Sequence, residues 1–398
     1  MNLHSLKLGP GPLRIGLIVN PAAGMGGRLG LKGTDGRAFL EALRRGARPV
    51  SPGRARRFLQ SLRGEWVEEL LVPPGIMGLE AVEDSGNLRG KVRVVGCVPP
   101  SKWPTTAEDT VRCASQISAD VDVLVFVGGD GTARDILDAV DQNVAVLGVP
   151  AGVKVYSAVF AVSPEAAARL IGDCSVRGCT LEEREVLDID EEAFRAGSLK
   201  ARLYGYLLVP RAPGVIQAGK EPTRSQEALD DIAEQVAELV EDCTLYILGP
   251  GSTVYRVAER LGVRKTLLGV DAYHNGELVG RDLDADKILE LASRYDRVKI
   301  ILTPIGGTGF LLGRGNQQIP PELLRRLGRD SLIIVSDPEK LRRLNYRLLI
   351  DTGDPQVDDM LEGPVRVIIG YNRWAMARIV AAHKSAAGSR GAALGGPY

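Results

Sequence analysis

The chain of 398 residues is 44% hydrophobic and carries 50 basic against 50 acidic residues, so its formal charge is zero. That balance argues against a non-specific nucleic-acid binder or a membrane-surface protein, and the length suffices for two cored domains. No apolar run reaches the length of a membrane span, and Met1-Asn2-Leu3-His4-Ser5-Leu6-Lys7 has no signal-peptide core, so a cytoplasmic protein is expected.

In chain order, 13–19 reads as a buried strand that runs into a glycine loop, Gly24-Met25-Gly26-Gly27-Arg28-Leu29-Gly30. Helices are predicted near 36–46 and 52–63, the second with Ser51 as N-cap and Pro52 at its first helical position. Strands near 67–72 and 92–97 and a helix near 106–118 follow. The apolar run 121–127 is a further strand, which enters Gly128-Gly129-Asp130-Gly131-Thr132 and then a helix to Val140 with Thr132 as its cap. A strand over 143–149 ends in Pro150-Ala151-Gly152. This alternation predicts a Rossmann-like, doubly wound parallel sheet.

Beyond about 180 the texture changes to antiparallel strands at 183–189 and 201–209. A polar stretch, 214–225, leads into an amphipathic helix over 225–241. A strand at 244–248 ends in a second glycine loop, Gly249-Pro250-Gly251-Ser252-Thr253, followed by a helix to Gly262. Asn275-Gly276 signals a hairpin, and a strand at 298–302 enters a third glycine loop over 304–309. Strands near 331–336, 347–350 and 365–370 complete the pattern. The expected fold is α/β: a Rossmann-like nucleotide-binding domain over 10–155, then a β-rich substrate-binding domain over 156–320. A C-terminal α/β segment over 321–385 is expected to pack back on the first domain, with a flexible tail over 386–398.

The chemistry centres on the GGDGT turn. Glycines let the backbone approach phosphate closely, and the following helix N-terminus favours an anion. Asp130 breaks that logic, because a carboxylate repels bare phosphate; it needs a role such as holding Mg²⁺ or accepting a hydroxyl proton. A tight turn with a favoured Asp is the plain alternative. No Walker A loop occurs, and Leu29 replaces the third glycine that a dinucleotide fingerprint would place in the first loop. Cys97, Cys113, Cys174, Cys179 and Cys243 are scattered without CxxC spacing and read as free thiols. Only His4, His274 and His383 are available, which leaves little for a zinc site or a Ser-His-Asp triad.

Val19-Asn20-Pro21-Ala22-Ala23-Gly24 with the GGDGT turn resembles the superfamily that unites NAD kinases with diacylglycerol and sphingosine kinases. The resemblance is greatest to archaeal-type ATP-NAD kinase-like proteins. It extends through 148–157, through Leu248-Gly249-Pro250-Gly251-Ser252-Thr253-Val254-Tyr255, and through Thr303-Pro304-Ile305-Gly306-Gly307 with Gly313-Arg314-Gly315-Asn316-Gln317-Gln318. It implies a nucleotide site between two domains and transfer of a phosphoryl group from ATP, or inorganic polyphosphate, to a hydroxyl. In NAD kinases that is the adenosine 2′-hydroxyl of NAD, with Mg²⁺ as cofactor. The resemblance assigns catalysis to Asp130 and nucleotide binding to Asn20, Gly128, Gly129, Gly131 and Thr132.

Further candidates each have a plainer alternative. Lys154 neutralises phosphate or snorkels to the surface. Gly251, Ser252 and Thr253 contact the ligand, or the two hydroxyls cap the helix they begin. Tyr255 stacks on a ligand ring or fills the core; Arg314 clamps a phosphate or carboxamide, or is an ordinary exposed arginine. Asp135 lies behind the metal or is a solvated first-turn acid. The chain has no Asn-Glu or Asn-Asp pair, which family members use to hold the substrate ribose, so another alcohol acceptor or a non-catalytic nucleotide binder stays open. Partners are then small nucleotides, with no nucleic acid and no membrane, and the resemblance implies a homodimer or homotetramer.

Overall fold

The computed structural model describes residues 7–31, 37–83, 88–140, 144–151, 155–189, 201–211 and 226–385. The polar stretch 214–225 and the tail 386–398 lie outside those residues.

The first sheet has five strands in the order Val92–Val94, Val67–Val72, Leu13–Val19, Val123–Gly128, Ala145–Pro150. Every pairing in it is parallel. Val123–Gly128 and Ala145–Pro150 are buried at every residue, as expected of strands covered on both faces by helices. Helix Ser51–Ser61 packs with Pro164–Arg177, and Ala107–Ser118 packs with Asp130–Ala139, so the sheet is doubly wound. Gly16 is glycine for contact: a Cβ there would lie 2.5 Å from Ile117 Cγ2 on the covering helix. Thr106 caps that helix, accepting from the Asp109 N–H while the Asp109 carboxylate accepts from the Thr106 N–H.

The expected domain boundary at 155 is displaced. The helix Pro164–Arg177 and the antiparallel hairpin Cys179–Ile189/Ala201–Pro210 bury Ala166, Ile171, Val186, Leu207 and Val209 in the first core. The second sheet has nine strands in the order 277–280, 271–274, 245–248, 298–302, 332–335, 363–370, 373–381, 347–350, 310–312. Segment 321–385 therefore completes the second sheet, because its strands Leu332–Val335 and Gly363–Gly370 continue the parallel register from Val298–Leu302. Its ties to the first domain are specific side chains, taken up below. The hairpin at Asn275-Gly276 forms as read, with φ of 46° and 89°.

Three local expectations are corrected. Helix Asp130–Ala139 begins at Asp130 with Gly129 as N-cap, so Thr132 lies inside the first turn and does not cap it. Ser51 is the first helical residue, not the cap; its Oγ donates to the Ala23 carbonyl at 2.8 Å. The cysteines are not all free: Cys97 pairs with Cys113 and Cys174 with Cys179, leaving Cys243 exposed and unpaired. The chain brings each pair within disulfide range, at Cα separations of 5.1 and 4.9 Å, a proximity that spacing alone does not reveal.

Candidate active site

The strand Leu13–Val19 and its neighbour Val123–Gly128 are parallel and in register, so their C-terminal ends open at one edge of the sheet. Ligands bind at that edge in open α/β sheets. The Asn20 N–H donates to the Val127 carbonyl at 3.0 Å and extends the pairing one step. Its side chain then turns across. Nδ2 donates to Thr132 Oγ1 at 2.9 Å, and Oδ1 accepts from the Ala22 N–H at 3.1 Å. One amide thus joins the first glycine loop to the helix that carries Asp130.

Gly128 makes the turn possible. A Cβ at this position would stand 2.4 Å from the Thr132 side chain, and real Cβ atoms do not come so close. Gly24 is required twice over: its φ is +83°, and a Cβ would lie 2.4 Å from the Ala151 carbonyl oxygen. The first glycine loop is therefore pressed against Ala151, at the end of the strand Ala145–Pro150.

Asp130 is the best-defined group of the site. Its Oδ2 accepts from the Tyr156 N–H at 2.8 Å and its Oδ1 from the Ser157 N–H, also at 2.8 Å. Ser157 is itself locked, its buried Oγ accepting from the Leu187 N–H and donating to the Leu187 carbonyl, both at 3.0 Å. Burial pushes the Tyr156 phenol well above its ordinary range, and the Asp130 charge adds to the effect. The carboxylate is thus held in one orientation by backbone amides, an arrangement that charge-assisted hydrogen bonds make strong.

The structure brings together Asn20, Gly128, Gly129, Asp130, Gly131 and Thr132. Gly251, Ser252, Thr253 and Tyr255 form a second group on the other sheet. Strands Leu245–Leu248 and Val298–Leu302 are parallel neighbours, so the second and third glycine loops also emerge side by side. Gly251 has φ of +113° and faces Thr303, with its N–H donating to the Leu267 carbonyl. It is the N-cap of the helix Ser252–Arg260, which has no side-chain cap, so capping does not explain Ser252 or Thr253. Thr253 is buried and Tyr255 half-buried.

Arg314 departs from both sequence expectations. It is 2% exposed, bonded through Nε and Nη2 to Asp351 Oδ2 at 3.2 and 3.1 Å, donates from Nη2 to the Val162 carbonyl, and lies over the Phe310 ring. Burial lowers its guanidinium to about 10, and Asp351 opposes that shift. Such an arginine is engaged inside the protein and is not presented to a ligand. Asp135 is likewise buried rather than solvated. Lys154 lies outside the described residues.

Sequence reasoning assigned no role to Tyr156 and Ser157, although both lie in a matched block; their contribution comes from backbone N–H groups, which no side-chain motif announces. It also missed Asp351 and Arg54. Among the described residues no group of three or more His, Cys, Asp or Glu could hold a metal. The donor set near Asp130 therefore does not make a protein cage for a divalent ion.

Among the described residues no helix is long and apolar enough to cross a membrane. No curated protein and no solved structure matches the chain. Two family models do. The ATP-NAD kinase N-terminal domain matches residues 15–178, and the ATP-NAD kinase C-terminal domain matches residues 241–379. The first match takes in the five-stranded sheet with Asn20 and the GGDGT turn; the second takes in the remaining glycine loops and Asp351. With both domains matched in their proper order, the chain belongs to the ATP-NAD kinase family and is an NAD kinase-type phosphotransferase.

Proposed function

We propose that the protein transfers the γ-phosphoryl group of ATP, or the terminal phosphoryl of polyphosphate, to the adenosine 2′-hydroxyl of NAD, giving NADP. The observation that supports this best is the fixed Asp130 carboxylate set among glycine backbone at the sheet edge. In the step, the 2′-oxygen bonds to phosphorus as the bond from phosphorus to the bridging oxygen breaks. The hydroxyl proton passes to Asp130. Phosphoryl transfer needs mostly positioning and charge neutralisation, and the amides of Tyr156 and Ser157 supply the positioning by holding the acid still. Gly128, Gly129 and Gly131 admit phosphate to the backbone, Asn20 and Thr132 keep the two loops together, and Gly251, Ser252, Thr253 and Tyr255 contact the nucleotide from the second domain. Mg²⁺, bound with the nucleotide, would neutralise charge on the transferring group.

A coupled NADP assay with NAD, Mg²⁺ and either ATP or polyphosphate tests this reading, with Asp130→Asn as control. Formation of NADP by the wild type and its loss in the variant supports acceptor, donor class and Asp130 together. No NADP despite nucleotide binding by calorimetry overturns the NAD assignment. A second reading, another alcohol as acceptor, is favoured by the absence of any Asn-Glu or Asn-Asp pair. A screen of hydroxyl metabolites for phosphoryl transfer tests it. Assembly as a homodimer or homotetramer belongs to the same proposal, and light scattering on the eluted protein checks it.

A further inference from the structure

A buried carboxylate far from the GGDGT turn in sequence collects arginines from both domains. Asp351, 1% exposed, follows the strand Arg347–Ile350. Its two oxygens accept from Arg54 Nη1 at 2.6 and 2.7 Å, Oδ2 also accepts from Arg314, and Arg57 Nη1 stands 3.7 Å from Oδ1. Burial alone would raise this carboxyl, but the charges of Arg54, Arg314 and Arg57 hold it well below the usual carboxylate range.

Two of the arginines, Arg54 and Arg314, lead to parts of the site. Arg54 lies on the helix Ser51–Ser61, whose Ser51 Oγ holds the Ala23 carbonyl of the first glycine loop. Arg57 continues to Glu165, at 2.7 Å, on the next helix. Arg314 holds the Val162 carbonyl, five residues beyond the Ser157 amide that grips Asp130. The segment after Arg314 also meets the first loop, since a Cβ on Gly27 would lie 3.2 Å from the Gln317 side chain. The glycine loop and the segment that orients Asp130 are thus both referred to one carboxylate on the second sheet.

We propose that Asp351 is a positioning residue for phosphoryl transfer, setting the first glycine loop and the Asp130-holding segment relative to each other. It touches no reacting atom and acts through Arg54 and Arg314. The proposal rests on the kinase reading for its kinetic consequence, but its structural consequence is independent of the acceptor.

The test compares the full chain with Asp351→Asn and with Ile117→Ala. Ile117 is a core residue under Gly16, and its loss provides a destabilised protein with the Asp351 cluster intact. Hydrogen exchange of the peptide spanning 155–162 is followed well below both melting temperatures, and kcat and KM for the donor are measured alongside. In Asp351→Asn the expected results are exchange about tenfold faster in that peptide and kcat about 10²-fold lower, the scale of a small misplacement of reacting groups. Ile117→Ala should change neither by more than about twofold, since separate sites act independently. Equal exchange and equal kcat in the two folded variants would overturn the proposal. If wild type makes no NADP, the kinase reading fails while the exchange comparison still decides this one. Should Asp351→Asn not fold, Arg54→Lys keeps the charge but loses the bond to both oxygens, and the same two readouts apply.

Discussion

The Asn20 side-chain amide donates to the Thr132 hydroxyl at 2.9 Å across 112 positions of sequence. This bond makes the first glycine loop and the GGDGT helix one unit, although they arise from different strands. Asn20→Ala leaves buried Thr132 without that donor and frees the Ala22 N–H. The expected stability loss is about 1–3 kcal/mol, the range for stranding one partner of a buried hydrogen bond. A larger relative loss is expected in kcat. Chemical denaturation and steady-state kinetics check both, and an unchanged kcat would show that the loops hold their places without Asn20.

Gly24→Ala should be worse than a helix-interior glycine change. The substitution meets both a φ of +83° and a carbonyl oxygen 2.4 Å from the new Cβ. Relief requires moving Ala151, next to the end of the strand Ala145–Pro150. A loss of more than about 1 kcal/mol is expected from the backbone alone, together with a raised KM for the phosphoryl donor. Gly46, at φ +74° with open space around its Cα, provides the comparison: strain without collision. Equal melting temperatures for Gly24→Ala and Gly46→Ala would show that the contact is relieved without cost.

Asp358 predicts a pH dependence. Burial raises its carboxyl to about 6 from 3.8, opposed by hydrogen bonds from the Thr352 N–H and hydroxyl, with the nearby Asp351 charge adding to the rise. The folded state binds this proton more tightly than the unfolded chain does. Its contribution to stability is therefore fully present below pH 3.8 and is lost as pH rises through about 6. The full difference is about 3 kcal/mol, at 1.36 kcal/mol for each of roughly two units. Asp358→Asn keeps an acceptor for Thr352 and removes the titration, so it should raise the melting temperature at pH 8. A variant no more stable than wild type at pH 8 would contradict the assigned cause.

The cysteine pairing is checked by counting thiols. Unfolded without reductant, the chain should expose one reactive thiol, Cys243; after reduction all five cysteines should react. Reduction of Cys97–Cys113, which closes a loop of 16 residues, should cost about 3 kcal/mol by the loop-entropy relation. Five reactive thiols before reduction would remove both bonds.

The sequence made the first domain legible for a physical reason. A parallel strand covered on both faces must be apolar at every position, and the runs ending at Val127 and Val149 are so composed. The GGDGT turn was readable because glycines and an acid at a strand end are chemically conspicuous. The cap does not fall on Thr132 because the helix starts at Asp130, and boundaries depend on which residue first leaves extended geometry. The fate of Arg314 was not readable, since its partner Asp351 lies 37 positions on and Arg54 lies 297 positions before that partner. Buried ion pairs between domains leave no periodic trace. The Tyr156 and Ser157 amides are a further case, because every residue but proline has that donor.

The arrangement around Asp351 bears on how the gene could be cut. A fragment ending at the first domain would carry Arg54 and Arg57 on one helix with their shared carboxylate missing. It would also expose the Val162 carbonyl that Arg314 occupies in the whole chain. Two guanidinium groups, three positions apart on that helix, would then border a seam shaped for an anion, with Glu165 left beside Arg57. The halves of this protein are thus poor candidates for separate expression, and reconstitution from the two pieces should depend on the negative charge at position 351.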